Sequence, residues 1–184
     1  PFITSGSAGK RLAEKVVPPL PKNVKELTGQ VAQIGLVIGK AFILRWDSPN
    51  LNENMDKMPK NSILVVGQTL PHLMPAIKKA SAIVTDEGGM ASHSAIVSRE
   101  LGIPCVVGTS NATEKITHSQ KVTVSCAGGE RGEVYDGLLR YAVEHIDMKQ
   151  LPKTRTKVMV NIGSPEEAFK YSFLPVEGVG LARE

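Results

Sequence analysis

One histidine in this chain stands where a reactive imidazole is expected. His93 follows a short apolar strand and the glycine pair Gly88-Gly89, and comes directly after Ser92. Serine is a common helix N-cap, and the residues after His93 are apolar at helical spacing until Gly102, which suits a helix end. The pattern predicts a strand, a glycine turn, a helix and a further strand, with His93 in the first turn of the helix.

This position has chemical consequences for the ring of His93. A helix N-terminus favours anions and disfavours an imidazolium ion, so we expect a neutral ring near pH 7 with one nitrogen free as a nucleophile. The same backbone donors would stabilise a phosphoryl group on that nitrogen. Gly88 and Gly89 would let the backbone approach a bulky polyanionic donor closely. The local pattern alone is equally compatible with a structural histidine that only packs or hydrogen-bonds at a helix start.

The run around His93 extends far beyond this local pattern. From Thr85 to Gly108 it reads TDEGGMASHSAIVSRELGIPCVVG. It resembles the phosphohistidine motif of the PEP-utilising enzymes, close to TDxGGxTxHxAIxxRExGIPxVVG, a family that includes phosphoenolpyruvate synthase, pyruvate phosphate dikinase and enzyme I of the sugar phosphotransferase system. The resemblance implies that His93 is phosphorylated. Ala91 replaces the family's threonine two residues before the histidine, which leaves ring orientation and rate in question, and Ser92 is aimed differently.

The alternation of short strands with few helices predicts an α/β fold, a three-layer β/β/α sandwich. The resemblance agrees, because the phosphohistidine domain of that family is a swivelling β/β/α fold. We expect an N-terminal linker at residues 1–28, the swivelling domain at 29–146 with a helical tail through Ile146, and a second linker at 147–156. Residues 47–61 are rich in Asn, Pro and charge, which indicates a solvated loop.

Residues 157–184 predict a strand, a helix beginning at Ser164-Pro165 and a second strand from about Val176. A strand-helix-strand unit is typical of a parallel sheet or barrel. The segment resembles the start of the PEP/pyruvate-binding barrel of phosphoenolpyruvate synthase, which implies that Arg183 would contact substrate in an intact barrel. Because two strands cannot close a barrel, we expect an incomplete (β/α) barrel fragment here.

Composition excludes several classes of protein. The 184 residues are 41% hydrophobic and 22% charged, with a net charge of +4, as in an ordinary globular protein. Aromatic residues make up only 4%, which argues against nucleic-acid binding. Nothing is long and apolar enough to span a membrane, and no signal peptide opens the chain. Cys105 and Cys126 lack metal-site spacing, which indicates reduced thiols, a cytoplasmic location and no metal site in this chain.

No function is predicted for the other three histidines, His72, His118 and His145. The chain opens at Pro1 without an initiator methionine and stops within the barrel-like segment, so we expect a fragment of a larger enzyme. Its oligomeric state is not fixed by the sequence, and a homo-oligomer is compatible with it.

The resemblance implies the central phosphocarrier domain of a phosphoenolpyruvate synthase (pyruvate, water dikinase), an enzyme of gluconeogenesis. An upstream ATP-grasp domain would phosphorylate His93 from ATP with Mg²⁺, and the domain would carry the phosphoryl group to pyruvate in the barrel. Both ATP and Mg²⁺ would be bound by other parts of the enzyme, and this chain alone is not expected to turn over.

Three alternatives stay open. Pyruvate phosphate dikinase shares the motif but uses inorganic phosphate. A rifamycin-type phosphotransferase also uses a mobile histidine domain, although the barrel-like segment at 157–183 argues against it. Finally, Ala91 gives slight support to a non-catalytic swivelling binding module.

Overall fold

The computed structural model describes residues 10–16, 26–127, 130–147, 154–162, 168, 171–172 and 174–182. The chain forms two compact units, one of Glu14–Ala142 and one that combines Pro1–Ala13 with Val143–Glu184. The larger unit contains His93 and most of the secondary structure.

The strands and helices follow one another closely along the chain. The strands are β1 (Lys10–Val16), β2 (Glu26–Gln33), β3 (Leu36–Ile43), β4 (Ser62–Val66), β5 (Ala80–Thr85), β6 (Cys105–Val107), β7 (Lys121–Ser125), β8 (Arg131–Asp136), β9 (Tyr141–Asp147), β10 (Val160–Ile162) and β11 (Val179–Ala182). The helices are α1 (Leu51–Lys57), α2 (Met74–Ile77), α3 (His93–Leu101) and α4 (Ala112–Lys115), with a 3₁₀ turn at Pro71–Leu73 directly before α2.

Seven strands close into a barrel in the order β2-β6-β5-β4-β3-β7-β8. The neighbours β3, β4, β5 and β6 run parallel, and the remaining pairs are antiparallel. The parallel order brings the carboxyl ends of β4, β5 and β6 to one end of the barrel. The loops that follow these strands therefore meet there.

The central strand β4 is buried on both faces, as its uninterrupted apolar sequence predicts. Ile63 and Val65 belong to the core inside the barrel, whereas Leu64 and Val66 belong to a second core. Helices α2 and α3 contribute to that second core, so they cover one side of the barrel. Helix α4 instead contributes Ala112 to the inner core and helps to fill the barrel.

The predicted mixed α/β class is confirmed. Seven of the eleven described strands form one continuous ring, and the other four form two separate pairs, β1-β9 and β10-β11. The ring closes because β2 and β8 pair along Glu26–Gln30 and Tyr135–Arg131, a pairing between distant segments that no local pattern indicates.

Two local predictions were wrong. Residues 47–61 contain helix α1, because Leu51 and Met55 lie one turn apart and Met58 follows directly after the helix; Met55 and Met58 are only 5% and 2% exposed. The predicted helical tail is strand β9, which pairs with β1 inside the segment predicted as a linker. Pairing with a distant strand overrides the local pattern in that tail.

In the smaller unit β10 and β11 pair in parallel, with Val160 opposite Val179. This agrees with the two strands predicted there. The predicted helix start at Ser164-Pro165 and the predicted substrate contact Arg183 lie outside the described residues. None of the described helices has the length and apolar character that a membrane crossing requires.

Candidate active site

His93 is the first residue of helix α3, as predicted. Ser92 is the N-cap with extended backbone angles, and its Oγ accepts a hydrogen bond from the backbone N–H of Ala95 at 3.4 Å. Gly102 ends the helix in the left-handed conformation with φ of 66°. The local signals in the sequence therefore determine both ends of the helix that carries the imidazole.

The turn before His93 depends on Gly88. Its φ is +106°, and a Cβ placed on it would lie 3.0 Å from both Cβ and Oγ of Ser92. The backbone of the loop after β6 also comes close, because a Cβ on Gly108 would lie 2.9 Å from the carbonyl oxygen of Gly88. Glycine is thus required here by conformation as well as by space. Gly89 is less crowded, because the nearest atom to a Cβ placed on it would be the side-chain oxygen of Gln30, at 3.7 Å.

The ring of His93 has a partner that the sequence analysis missed. Thr69 Oγ1 lies 3.0 Å from His93 Nδ1. Thr69 is only 4% exposed and belongs to the loop after β4, next to the loop after β5 that leads to His93. The available sequence signal was a polar residue shortly after a buried strand, at the sheet end where parallel strands finish. The ring thus has a hydroxyl partner from the loop after β4, whereas Ala91 has no hydroxyl to offer.

This contact distinguishes the two ring nitrogens. Among the described residues Nε2 has no hydrogen-bond partner, and His93 is partly exposed. When Nδ1–H donates to Thr69 Oγ1, the lone pair of a neutral ring is on Nε2, the nitrogen that is free to react. When Thr69 donates instead, Nε2 carries the proton and is not nucleophilic. The heavy-atom geometry accommodates both tautomers.

Further hydrogen bonds hold the loops around the turn together. The carboxylate of Asp86 accepts the backbone N–H of Thr113 at 3.0 Å and also the Thr113 hydroxyl. Thr109 Oγ1 donates to the carbonyl of Thr85 at 2.9 Å. These contacts connect the loop after β5 to the loop after β6, so the turn that carries His93 is supported from a neighbouring strand end.

Arg99 ties the other side of the turn to the body of α3. Its Nη2 donates to the carbonyl oxygen of Met90 at 2.9 Å. The link spans from the second half of the helix back to the residues that precede the N-cap, which limits movement of the turn relative to the helix.

Of the predicted site residues, the structure brings Gly88, Gly89, Ser92 and His93 together, whereas Arg183 lies outside the described residues. No group of three or more His, Cys, Asp or Glu side chains that could hold a metal ion occurs within the described ranges.

Both cysteines are buried thiols. Burial raises the pKa of Cys105 to about 12, partly offset by a hydrogen bond with Ser98, and burial also raises the pKa of Cys126. Neither thiol belongs to the site around His93.

Comparison with known proteins assigns the segment that contains His93 to a family. Residues 58–129 match the family described as "PEP-utilising enzyme, mobile domain". The chain is 57% identical over 129 residues to a phosphoenolpyruvate synthase of Aquifex aeolicus, which covers 70% of the chain and 15% of that protein. It is 43% identical over 165 residues to the Helicobacter pylori phosphoenolpyruvate synthase, covering 89% of the chain and 20% of that protein. The chain therefore spans a fifth or less of the length of these two relatives.

Similarity to solved structures is weaker. Aconitase X of Thermococcus kodakaraensis aligns with a TM-score of 0.45 and 18% identity, over 60% of this chain and 98% of that one. An NMR structure of enzyme I aligns with a TM-score of 0.37 and 25% identity, over 47% of this chain and 34% of that one. The assignment thus comes from the sequence comparisons: residues 58–129 belong to the mobile-domain family of the PEP-utilising enzymes.

Proposed function

We propose that this chain carries the phosphocarrier domain of a phosphoenolpyruvate synthase, in which His93 takes a phosphoryl group derived from ATP and delivers it to pyruvate. One observation carries the proposal. His93 begins α3 with Nδ1 next to Thr69 and with Nε2 unbonded to any described residue, inside the segment that matches the mobile-domain family. The relatives named phosphoenolpyruvate synthase supply the substrate class.

Residues of this chain have distinct roles in the first transfer. Nδ1–H of His93 donates to Thr69 Oγ1, which keeps the lone pair on Nε2. The bond from Nε2 to phosphorus forms as the bond from phosphorus to the donor oxygen breaks. The positive end of α3 then stabilises the negative charge that arrives on the ring. Positioning and charge stabilisation are the main requirements of phosphoryl transfer.

The second transfer reverses the first. Once a base of the pyruvate-binding part has taken a methyl proton from pyruvate, the enolate oxygen attacks phosphorus. The bond from Nε2 to phosphorus breaks, and the ring returns to its neutral form with Nδ1–H still donating to Thr69. The proton inventory of the ring is unchanged over the cycle, so Thr69 serves both steps with one hydrogen bond.

The proposed reaction also needs other domains of the enzyme. An ATP-grasp domain would bind ATP and Mg²⁺, and a PEP/pyruvate barrel that includes Arg183 would bind pyruvate. Residues 29–146 would move between them as a swivelling three-layer domain, with linkers at 1–28 and 147–156, in a cytoplasmic enzyme of gluconeogenesis. The two separate hydrophobic cores, one inside the barrel and one under the helices, support such layering.

The test combines this chain with the ATP-grasp part of the Aquifex aeolicus relative and ATP carrying ³²P in its β- and γ-phosphates. We expect acid-labile, base-stable label on this chain. The label is lost in His93→Ala and retained in the matched variant His72→Ala, whose histidine also lies at the start of a helical turn.

If the chain stays unlabelled while the same ATP-grasp part labels the Aquifex mobile domain, the non-catalytic binding module is the correct alternative. Pyruvate phosphate dikinase is tested in the intact enzyme, where only the dikinase requires inorganic phosphate for formation of the phosphohistidine from ATP.

A further inference from the structure

A cavity of about 560 Å³ lies at the end of β4 opposite to His93. Ser62, the first residue of β4, lines this cavity, whereas Thr69 and His93 lie beyond the last residue of the strand. Five strand residues rise by ~15 Å, so the cavity is separate from the proposed phosphohistidine site.

The charges that line this cavity are all positive. Lys40, Lys57 and Lys60 line it, and no Asp or Glu is found among the described residues that line it. Lys57 pairs with Glu53 outside the cavity at 2.6 Å, and Lys40 and Lys60 have no ion pair among the described residues. Another cavity in this unit, about 470 Å³, is lined by Lys115 together with Glu114 and Asp136, so its lining carries charges of both signs.

Aromatic and polar groups complete the lining. The rings of Phe42 and His118 meet edge to face with centroids 4.6 Å apart, and Asn61 also lines the cavity. Asn61 and Ser119 both have positive φ, at 63° and 64°, so two of the three non-glycine residues with this unfavourable conformation in the described chain border one cavity. Strained backbone of this kind is concentrated at ligand sites.

The C-terminal end of α1 would oppose anion binding, but a lysine side chain neutralises it. The carbonyl end of α1 lies at this cavity, because Lys57 is the last residue of the helix, and helix carbonyl ends repel anions. Lys79 Nζ donates to the carbonyl oxygens of Met55 and Asp56 at 2.8 and 3.0 Å, which occupies them with a cation. These two hydrogen bonds offset the repulsion that the carbonyl oxygens would exert on an anion.

From these observations we propose that this cavity is a second ligand site, which binds a small anion with at least two phosphate groups. Two lysines without ion pairs can each contact one phosphate, and the volume accommodates a ligand of that size. Binding at this cavity requires neither His93 nor a phosphoryl transfer, so it can be tested independently of the proposed function.

The experiment titrates the ¹⁵N-labelled 184-residue chain with sodium pyrophosphate at ~150 mM NaCl, an ionic strength that screens exposed charges beyond a Debye length of ~8 Å. We expect saturable amide shifts centred on Lys40, Asn61 and Ser119. A single exposed charge pair contributes little to binding, so both lysines are changed together. The double variant Lys40→Gln/Lys60→Gln should weaken pyrophosphate binding at least ~fivefold. Lys115→Gln, from the other cavity, is the matched control and should bind as the parent chain does.

The ¹⁵N spectrum of each variant also reports whether it is folded. His93→Ala should leave pyrophosphate binding unchanged. Shifts that never saturate, shifts centred on residues 88–95, or equal weakening in the Lys115→Gln control would each overturn the proposal. So would binding of a polyglutamate peptide at these residues without binding of pyrophosphate, because the surface would then be a docking face for an acidic protein segment.

Discussion

The contact between Thr69 and His93 gives the sharpest prediction about the site. Thr69→Val removes the hydroxyl and keeps nearly the same volume, so a buried position changes in chemistry rather than in packing. A net hydrogen bond contributes about 0.5–1.5 kcal/mol, which corresponds to a change of roughly twofold to tenfold in rate if it acts in the transition state. We expect phosphorylation of His93 to slow by that factor. Thr69→Ser retains the hydroxyl and should stay close to the parent rate.

The assay uses phosphoramidate, a small phosphoryl donor that requires no partner domain. The rate at which acid-labile phosphate appears on the chain is followed by intact mass and ³¹P NMR, with His93→Gln as the blank. Ring ¹⁵N shifts of His93 provide a second measurement, which should change from mainly protonated Nδ1 to a mixture of tautomers in Thr69→Val. The reasoning is refuted if Thr69→Val is phosphorylated at the parent rate with an unchanged tautomer, or if Thr69→Ser is impaired as strongly as Thr69→Val.

Three further predictions concern the stability and reactivity of this unit. Ser92→Ala removes the N-cap of α3 and should cost about 1 kcal/mol in urea unfolding, whereas Ser92→Asn should cost much less; equal losses would contradict the capping role. Gly88→Ala imposes a side chain at φ of +106° against Ser92, so it should lower Tm clearly, while Gly67→Ala, with nothing within 4 Å, should lower it less. Because burial raises the pKa of Cys105 to about 12 and also raises that of Cys126, both thiols should resist a thiol-specific disulfide reagent at pH 8 until guanidinium unfolds the chain. In the unfolded chain the thiols lose their protons from about pH 8.5, so the free energy of unfolding should fall as pH rises above that value. Fast labelling of the folded chain would contradict the burial of the two thiols. A free energy of unfolding that stays constant up to about pH 10 would contradict it as well.

The sequence predicted the helix that carries His93 because its signals are local. The serine before the histidine, the apolar spacing after it and Gly102 all act within one helix, and the structure confirms each. The same holds for β4, whose apolar run marks a strand buried on both faces.

What the sequence could not predict depends on distant segments. Thr69 and His93 are 24 residues apart in the sequence, and they meet because β4 and β5 are parallel neighbours. Strand β9 has its partner β1 in a distant part of the chain, and this pairing overrides the helical pattern that the local sequence shows. Helix α1 was missed because polar residues dominate its composition, although three apolar residues at helical spacing decide its structure.

The closed ring of seven strands would suit a unit that moves between two docking surfaces, as proposed for this one. Every strand in the ring has two hydrogen-bonded neighbours, so no row of unpaired amides is uncovered when a docking surface is released. A unit built in this way would present no open edge of the ring to β-strands of other molecules while it moves.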